Sequence, residues 1–126
     1  IELYFELVAR RLIPNLLTNT EPDSMVLEDV QTSINKAVVA FSKLSSFNPF
    51  AYGDQFTLAD IAAILNLPIV RSVGTRFLGS DPLVEVPGLD DYFNRMEERP
   101  HVKKIRADAA ADQPNFMAHL KALYGF

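Results

Sequence analysis

The chain opens on "IELYFELVARRLIPNLL", where Ile1, Phe5, Val8, Leu12 and Leu16 fall on one side of an α-helix. Glu6 and Arg10 make a favourable i,i+4 pair outside that stripe, and Pro14, which lacks a backbone donor, predicts a bend in the last turns. After "NTEPDS", where Asp23 or Ser24 can cap, Leu27, Val30, Ile34, Ala37, Phe41 and Leu44 repeat at threes and fours. That repeat is the seam of an antiparallel helix pair, so the first two helices are expected to pack together. "SSFNPFAYGDQ" reads as a loop from its Ser, Asn, Pro and Gly content.

The next helix, from Thr57 to about Val73, has a different pattern. Leu58, Ala59, Ile61, Ala62, Ala63, Ile64, Leu65, Leu67, Ile69 and Val70 cover every side of it, which predicts a helix enclosed by protein at the centre of the fold. Asp60 stands alone in that run. A buried helix start still has backbone N–H groups that need acceptors, and Thr57 and Asp60, three apart, form a capping box in its Asp form. The Thr57 hydroxyl is expected to accept from the Asp60 N–H, and the Asp60 carboxylate from the Thr57 N–H. Phe56 and Ile61, apolar on either side of the box, complete a hydrophobic staple. An acid or base role for Asp60 finds no His, Ser or second carboxylate nearby in sequence.

Pro68 bends this helix, and Pro87 is placed to open "GLDDYFNRMEERP", where Leu89, Tyr92, Phe93 and Met96 make one face. Pro100 and Pro114 are each expected to start a further helix. No alternation of β-branched residues is long enough for a strand. The chain therefore reads as one all-α domain over residues 1–126, a bundle of five or six helices around a buried central one.

Composition changes this picture mainly by exclusion. At 126 residues, 48% hydrophobic and 22% charged, with net charge -4, it is an ordinary globular composition. The basic residues form no stripe, which argues against a nucleic-acid partner. The longest apolar run, interrupted by Asp60, Asn66 and Pro68, is too short to span a bilayer, so no membrane association is expected, and no secretory segment shows. Without cysteine there is no disulfide framework, thiolate metal site or thiol nucleophile, which is compatible with a reducing cytoplasm. His101 and His119 have no ligand-like partner, so no metal site is expected. The first residue is not Met and no N-cap precedes the first helical pattern, so the sequence reads as a fragment that begins inside a helix.

Two phrases together carry a resemblance. "F-x-x-G-D-Q-F-T-L-A-D-I-A", followed by a kinked apolar helix and then by "P-G-L-D-D-Y-F-N-R-M-E-E-R-P-H-V-K-K", resembles the C-terminal helical domain of cytosolic glutathione transferases of the bacterial type. In the second phrase the matching positions are Pro87, Leu89, Tyr92, Arg95, Arg99, Pro100 and Lys103. The resemblance covers nearly the whole chain. It implies a thioredoxin-like domain upstream, absent from this sequence, that holds glutathione and activates its sulfur. No catalytic residue therefore falls within this chain, and no cofactor is expected to bind to it alone.

In the resembling family the C-terminal half of the first helix and the last residues of the chain line the pocket for the electrophilic substrate. That implies substrate-binding roles for Ile13, Leu17, Tyr124 and Phe126. Two function classes follow. One is the helical half of a homodimeric enzyme that joins glutathione to small apolar electrophiles, in detoxification, or uses it for reduction. The other is a non-catalytic assembly domain of the same fold, as in translation elongation factor subunits and aminoacyl-tRNA synthetases.

Overall fold

The computed structural model describes residues 1–125. Contacts divide the chain into two compact units, Ile1–Tyr92 and Phe93–Phe126. Among the described residues every regular element is helical and no strand occurs, so the fold is all-α.

In the first unit, helix α1 opens with π turns over Glu2–Glu6 and continues as Leu7–Arg10, and after a tightened turn α2 spans Ile13–Thr18. The break falls where Pro14 enters the first turn of α2, the position at which a missing N–H costs least. Helix α3 (Ser24–Leu44) starts on Asp23, whose Oδ1 accepts from the N–H of Met25 at 2.9 Å and of Val26 at 3.3 Å. Phe5, Leu12, Val30, Ile34 and Ala37 of the two predicted stripes are buried, and the Phe5 and Phe41 rings meet at 5.1 Å. The expected α1/α3 seam is thus the observed one.

Helix α4 covers Leu58–Val73 and runs on through a π turn, Gly74–Leu78, to Gly79 in the left-handed conformation. Its buried side carries Asp60, Ala63, Ile64, Leu67, Val70 and Val73. Two expectations are corrected here. The helix is not enclosed all round: Leu58 is 81% exposed, and Ile61 and Leu65, on the same stripe, are also exposed. Periodicity shows that a face is apolar, and it does not show that the same stretch of chain supplies what covers it. Nor do Asn66 and Pro68 interrupt it, for the continuous helix from Leu58 to Leu78 is long and apolar enough, by length and composition, to cross a membrane. Here it serves as the core helix of its unit.

The loop between α3 and α4 contains a cis Asn48–Pro49 bond and a buried Phe47 in the left-handed region, at φ 51°. A bulky residue there is strained, and tertiary contacts must hold it. Its ring supplies them, lying 5.2 Å from Phe41 and 5.0 Å from Tyr92. Gly88, at φ 73°, passes close by, and a Cβ on it would stand 2.9 Å from the Ser46 carbonyl oxygen. Helix α5 (Leu89–Glu97) follows, with Leu89, Tyr92 and Met96 buried as their spacing predicts. Arg71, in the last turn of α4, reaches Asp81 Oδ2 at 3.3 Å and Asp90 Oδ1 at 2.5 Å and so ties down the connection between these helices.

In the second unit α6 runs from Pro100 to Tyr124 without interruption, so Pro114 lies inside a helix instead of starting one. The carbonyl it leaves without a helical donor belongs to Ala110, which is exposed and can bond to water, and this lowers the usual penalty for an interior proline. Pro100 does occupy the first turn, as expected.

Gly88→Ala is expected to destabilise the protein by about 1–3 kcal/mol, because it combines a left-handed φ with a clash against backbone that cannot swing away. The urea midpoint of the variant, with an unchanged slope, measures this.

Candidate functional site

Asp60 is fully buried at the first turn of α4, and its two carboxylate oxygens accept from both sides. Oδ2 takes the N–H of Thr57 at 2.8 Å and the Thr57 hydroxyl at 3.3 Å. Oδ1 takes the N–H of Ala51 at 2.8 Å and the Tyr92 hydroxyl at 3.1 Å. The Thr57 hydroxyl in turn receives the Ala59 N–H at 3.2 Å and also faces the Asp60 N–H, the reciprocal half of the capping box. Phe56 is partly exposed and meets Phe50 edge-on at 6.0 Å, and Ile61 is exposed.

This arrangement answers what a carboxylate does in an apolar run. A negative group at the helix N-terminus faces the positive end of the macrodipole, and charge-assisted bonds satisfy donors that water does not reach. With both oxygens occupied, Asp60 has no free lone pair directed at an open space where a substrate could sit. Tyr92 and Ala51 were not foreseen as its partners. A Tyr on a buried helix face is itself a signal, since its hydroxyl needs an acceptor, but the 32-residue separation gives no hint of which one.

The positions implied for the electrophile pocket are distributed as follows. Ile13 and Leu17 are half-buried, one turn apart on α2 in the first unit. Tyr124 is 73% exposed at the end of α6 in the second unit, and Phe126 lies outside the described residues. Ile13, Leu17 and Tyr124 do not line the following two cavities of the first unit. One of these, about 410 Å³, lies between α1 and α3 and is lined by Tyr4, Phe5, Ala37 and Phe41 with Lys36 and Ser33. Another, about 530 Å³, is lined by Leu3 and Tyr4 of α1, Leu44 of α3, Tyr52 of the loop, and Ala59 and Ala62 of α4. Among the described residues no group of three or more acidic or histidine side chains could hold a metal ion.

Residues 6–100 of the chain match the family model of the glutathione S-transferase C-terminal domain. The chain belongs to that family. It is also similar to a glutathione S-transferase of Pseudomonas putida, with 28% identity over 122 residues, which are 97% of this chain and 56% of that protein. The chain thus spans little more than half the length of this relative. Within the glutathione S-transferase C-terminal fold, the Asp60 network is the part of this chain with the most completely determined chemistry.

Asp60→Ala should cost about 3 kcal/mol or more, because it leaves the Ala51 and Thr57 N–H groups buried without acceptors. Asp60→Asn should cost less, and Tyr92→Phe about 1–2 kcal/mol through a single lost donor. Chemical denaturation of the three variants gives the ranking. An unchanged midpoint for Asp60→Ala would remove the cap from any structural role.

Proposed function

We propose that this chain is the helical, electrophile-binding half of a glutathione transferase-like enzyme, which joins glutathione to small apolar electrophiles or uses it for reduction. Glutathione is held by a separate thioredoxin-like domain of the longer protein, and these helices supply pocket walls. The protein acts in the cytoplasm as a homodimer.

The observation that carries this reading is the uncovered apolar face of the first unit. On α4, Leu58, Ile61 and Leu65 form an exposed stripe beside Ala62, and Ala62 shares a cavity with Leu3, Tyr4 and Tyr52. A contiguous apolar surface of this kind calls for a protein partner. The relative is longer than this chain by roughly the length of one small domain, and a domain seated on this face would place its glutathione site against helices of this unit. Family membership supports the same assignment. Ile13 and Leu17, half-buried on α2, are then walls for the second substrate.

The isolated chain is accordingly expected to bind glutathione no better than background and to conjugate none, whereas the longer protein is active. In that protein, enlarging the side chain at Ile13 or Leu17 should change the preference among electrophiles severalfold while the apparent affinity for glutathione stays nearly constant. Steady-state kinetics with both substrates varied decides the point. Turnover by the isolated chain would overturn the assignment. A longer protein that is folded, dimeric and inert toward every electrophile would favour the assembly reading instead.

A further inference from the structure

Helix α3 buries Val30, Ile34 and Ala37 on one side and presents the opposite side to solvent. On that outer side Met25, Glu28, Thr32, Lys36 and Val39 follow one another at spacings of three, four, four and three residues, which keeps them on one stripe of the helix. All five are exposed, Met25 at 78% and Val39 at 59%. An exposed Met or Val on its own needs no explanation, but the order of this stripe does.

The order reads the same in both directions except that its charge changes sign. About Thr32, Met25 mirrors Val39 and Glu28 mirrors Lys36. Neither charge is met within the chain. One turn after Glu28, where a base would serve it, stands Thr32, and the same Thr32 stands one turn before Lys36, where an acid would. Among the described residues neither side chain makes an ion pair or hydrogen bond, whereas Asp29 on the flank is paired with Arg11 at 2.5 Å.

We propose that this outer stripe of α3 is a self-complementary surface on which a second copy of the chain docks, antiparallel about Thr32. The inference rests on the homodimer reading and says where the two copies meet. A twofold axis at Thr32 places Glu28 opposite the second copy's Lys36 and Lys36 opposite the second copy's Glu28, which gives two equivalent ion pairs. Met25 then packs against the second copy's Val39. Thr32, the smallest of the five side chains, lies at the crossing, where the two helix axes come closest. A parallel arrangement would put Glu28 beside Glu28 and Lys36 beside Lys36, so the charges also set the direction of docking. From Met25 to Val39 the stripe is about 21 Å long, so it supplies the central part of a dimer interface and not its whole area.

The test measures the dimer dissociation constant of the longer protein by sedimentation velocity over a dilution series. Lys36→Glu and Glu28→Lys each turn two ion pairs into two like-charge contacts, and each should raise the constant about tenfold. The double variant, Glu28→Lys with Lys36→Glu, exchanges the two charges and should return the constant to within about threefold of the original, a recovery that a merely local effect on α3 would not give. Glu85→Lys, on an exposed loop, changes the net charge as much as Glu28→Lys and should leave the constant unchanged. A dimer indifferent to the single reversals, or weakened by them without recovery in the double variant, overturns the proposal and moves the interface to another face. If the unaltered longer protein is monomeric throughout the series, the homodimer reading fails first and this inference with it.

Discussion

The fold of the first unit depends on one buried carboxylate. Asp60 accepts from the preceding loop at Ala51, from the cap at Thr57 and from Tyr92, 32 residues on, so the loop, the helix start and a distant residue meet on two oxygen atoms. A carboxylate in an apolar core is tolerated when it is fully hydrogen-bonded, and here each oxygen has two donors, so losing one donor weakens the site while losing the carboxylate leaves several donors without an acceptor. The arrangement fixes where α4 begins, how the preceding loop closes, and where Tyr92 lies against both.

From Tyr92 the constraint spreads through rings. Tyr92 meets Phe47, Phe47 meets Phe41, and Phe41 meets Phe5, at centroid distances of 5.0 to 5.2 Å, which carries the contact from α5 to α3 and α1. Each such pair adds on the order of 1 kcal/mol to the burial of its rings. Phe47 shows why the total matters. Its left-handed backbone is unfavourable by about 1–3 kcal/mol, an amount that full burial of one aromatic ring between two others offsets. Gly88 is the counterpart of this packing, because the chain passes there too closely for a side chain.

Much of this was legible in the sequence because it is local. The stripes of α1, α3 and α5, the Asp23 cap and the Thr57/Asp60 spacing all lie within a turn or two of helix, where three- and four-residue spacing translates directly into geometry. What could not be read is non-local or conditional. The bond from Tyr92 to Asp60 requires knowing the tertiary fold, and the left-handed Phe47 violates a residue preference that only packing overrides. The exposure of the α4 stripe is not legible because apolar character all round does not show what covers each face. The place of Pro114 inside α6 is not legible either, because it depends on the exposure of the carbonyl four residues before it. As for the pocket, Ile13 and Leu17 are assigned by family pattern, and spacing alone would have left them as helix positions of no special role.

The two buried carboxylates of this unit meet partners of different kinds. Asp60 is surrounded by donors that cannot move, namely two backbone amides and a buried phenol, so it locks structure and has nothing left to offer a ligand. Glu6 instead pairs with Arg10, a long cation whose side chain is 58% exposed. A carboxylate that meets backbone ties segments of the fold together, whereas one that meets a side chain one turn away holds only that turn. Asp60 sits at the base of the core helix, where any motion would disturb the loop, the cap and Tyr92, whereas Glu6 closes the π turns of α1 directly after Phe5, the ring at one end of the aromatic series.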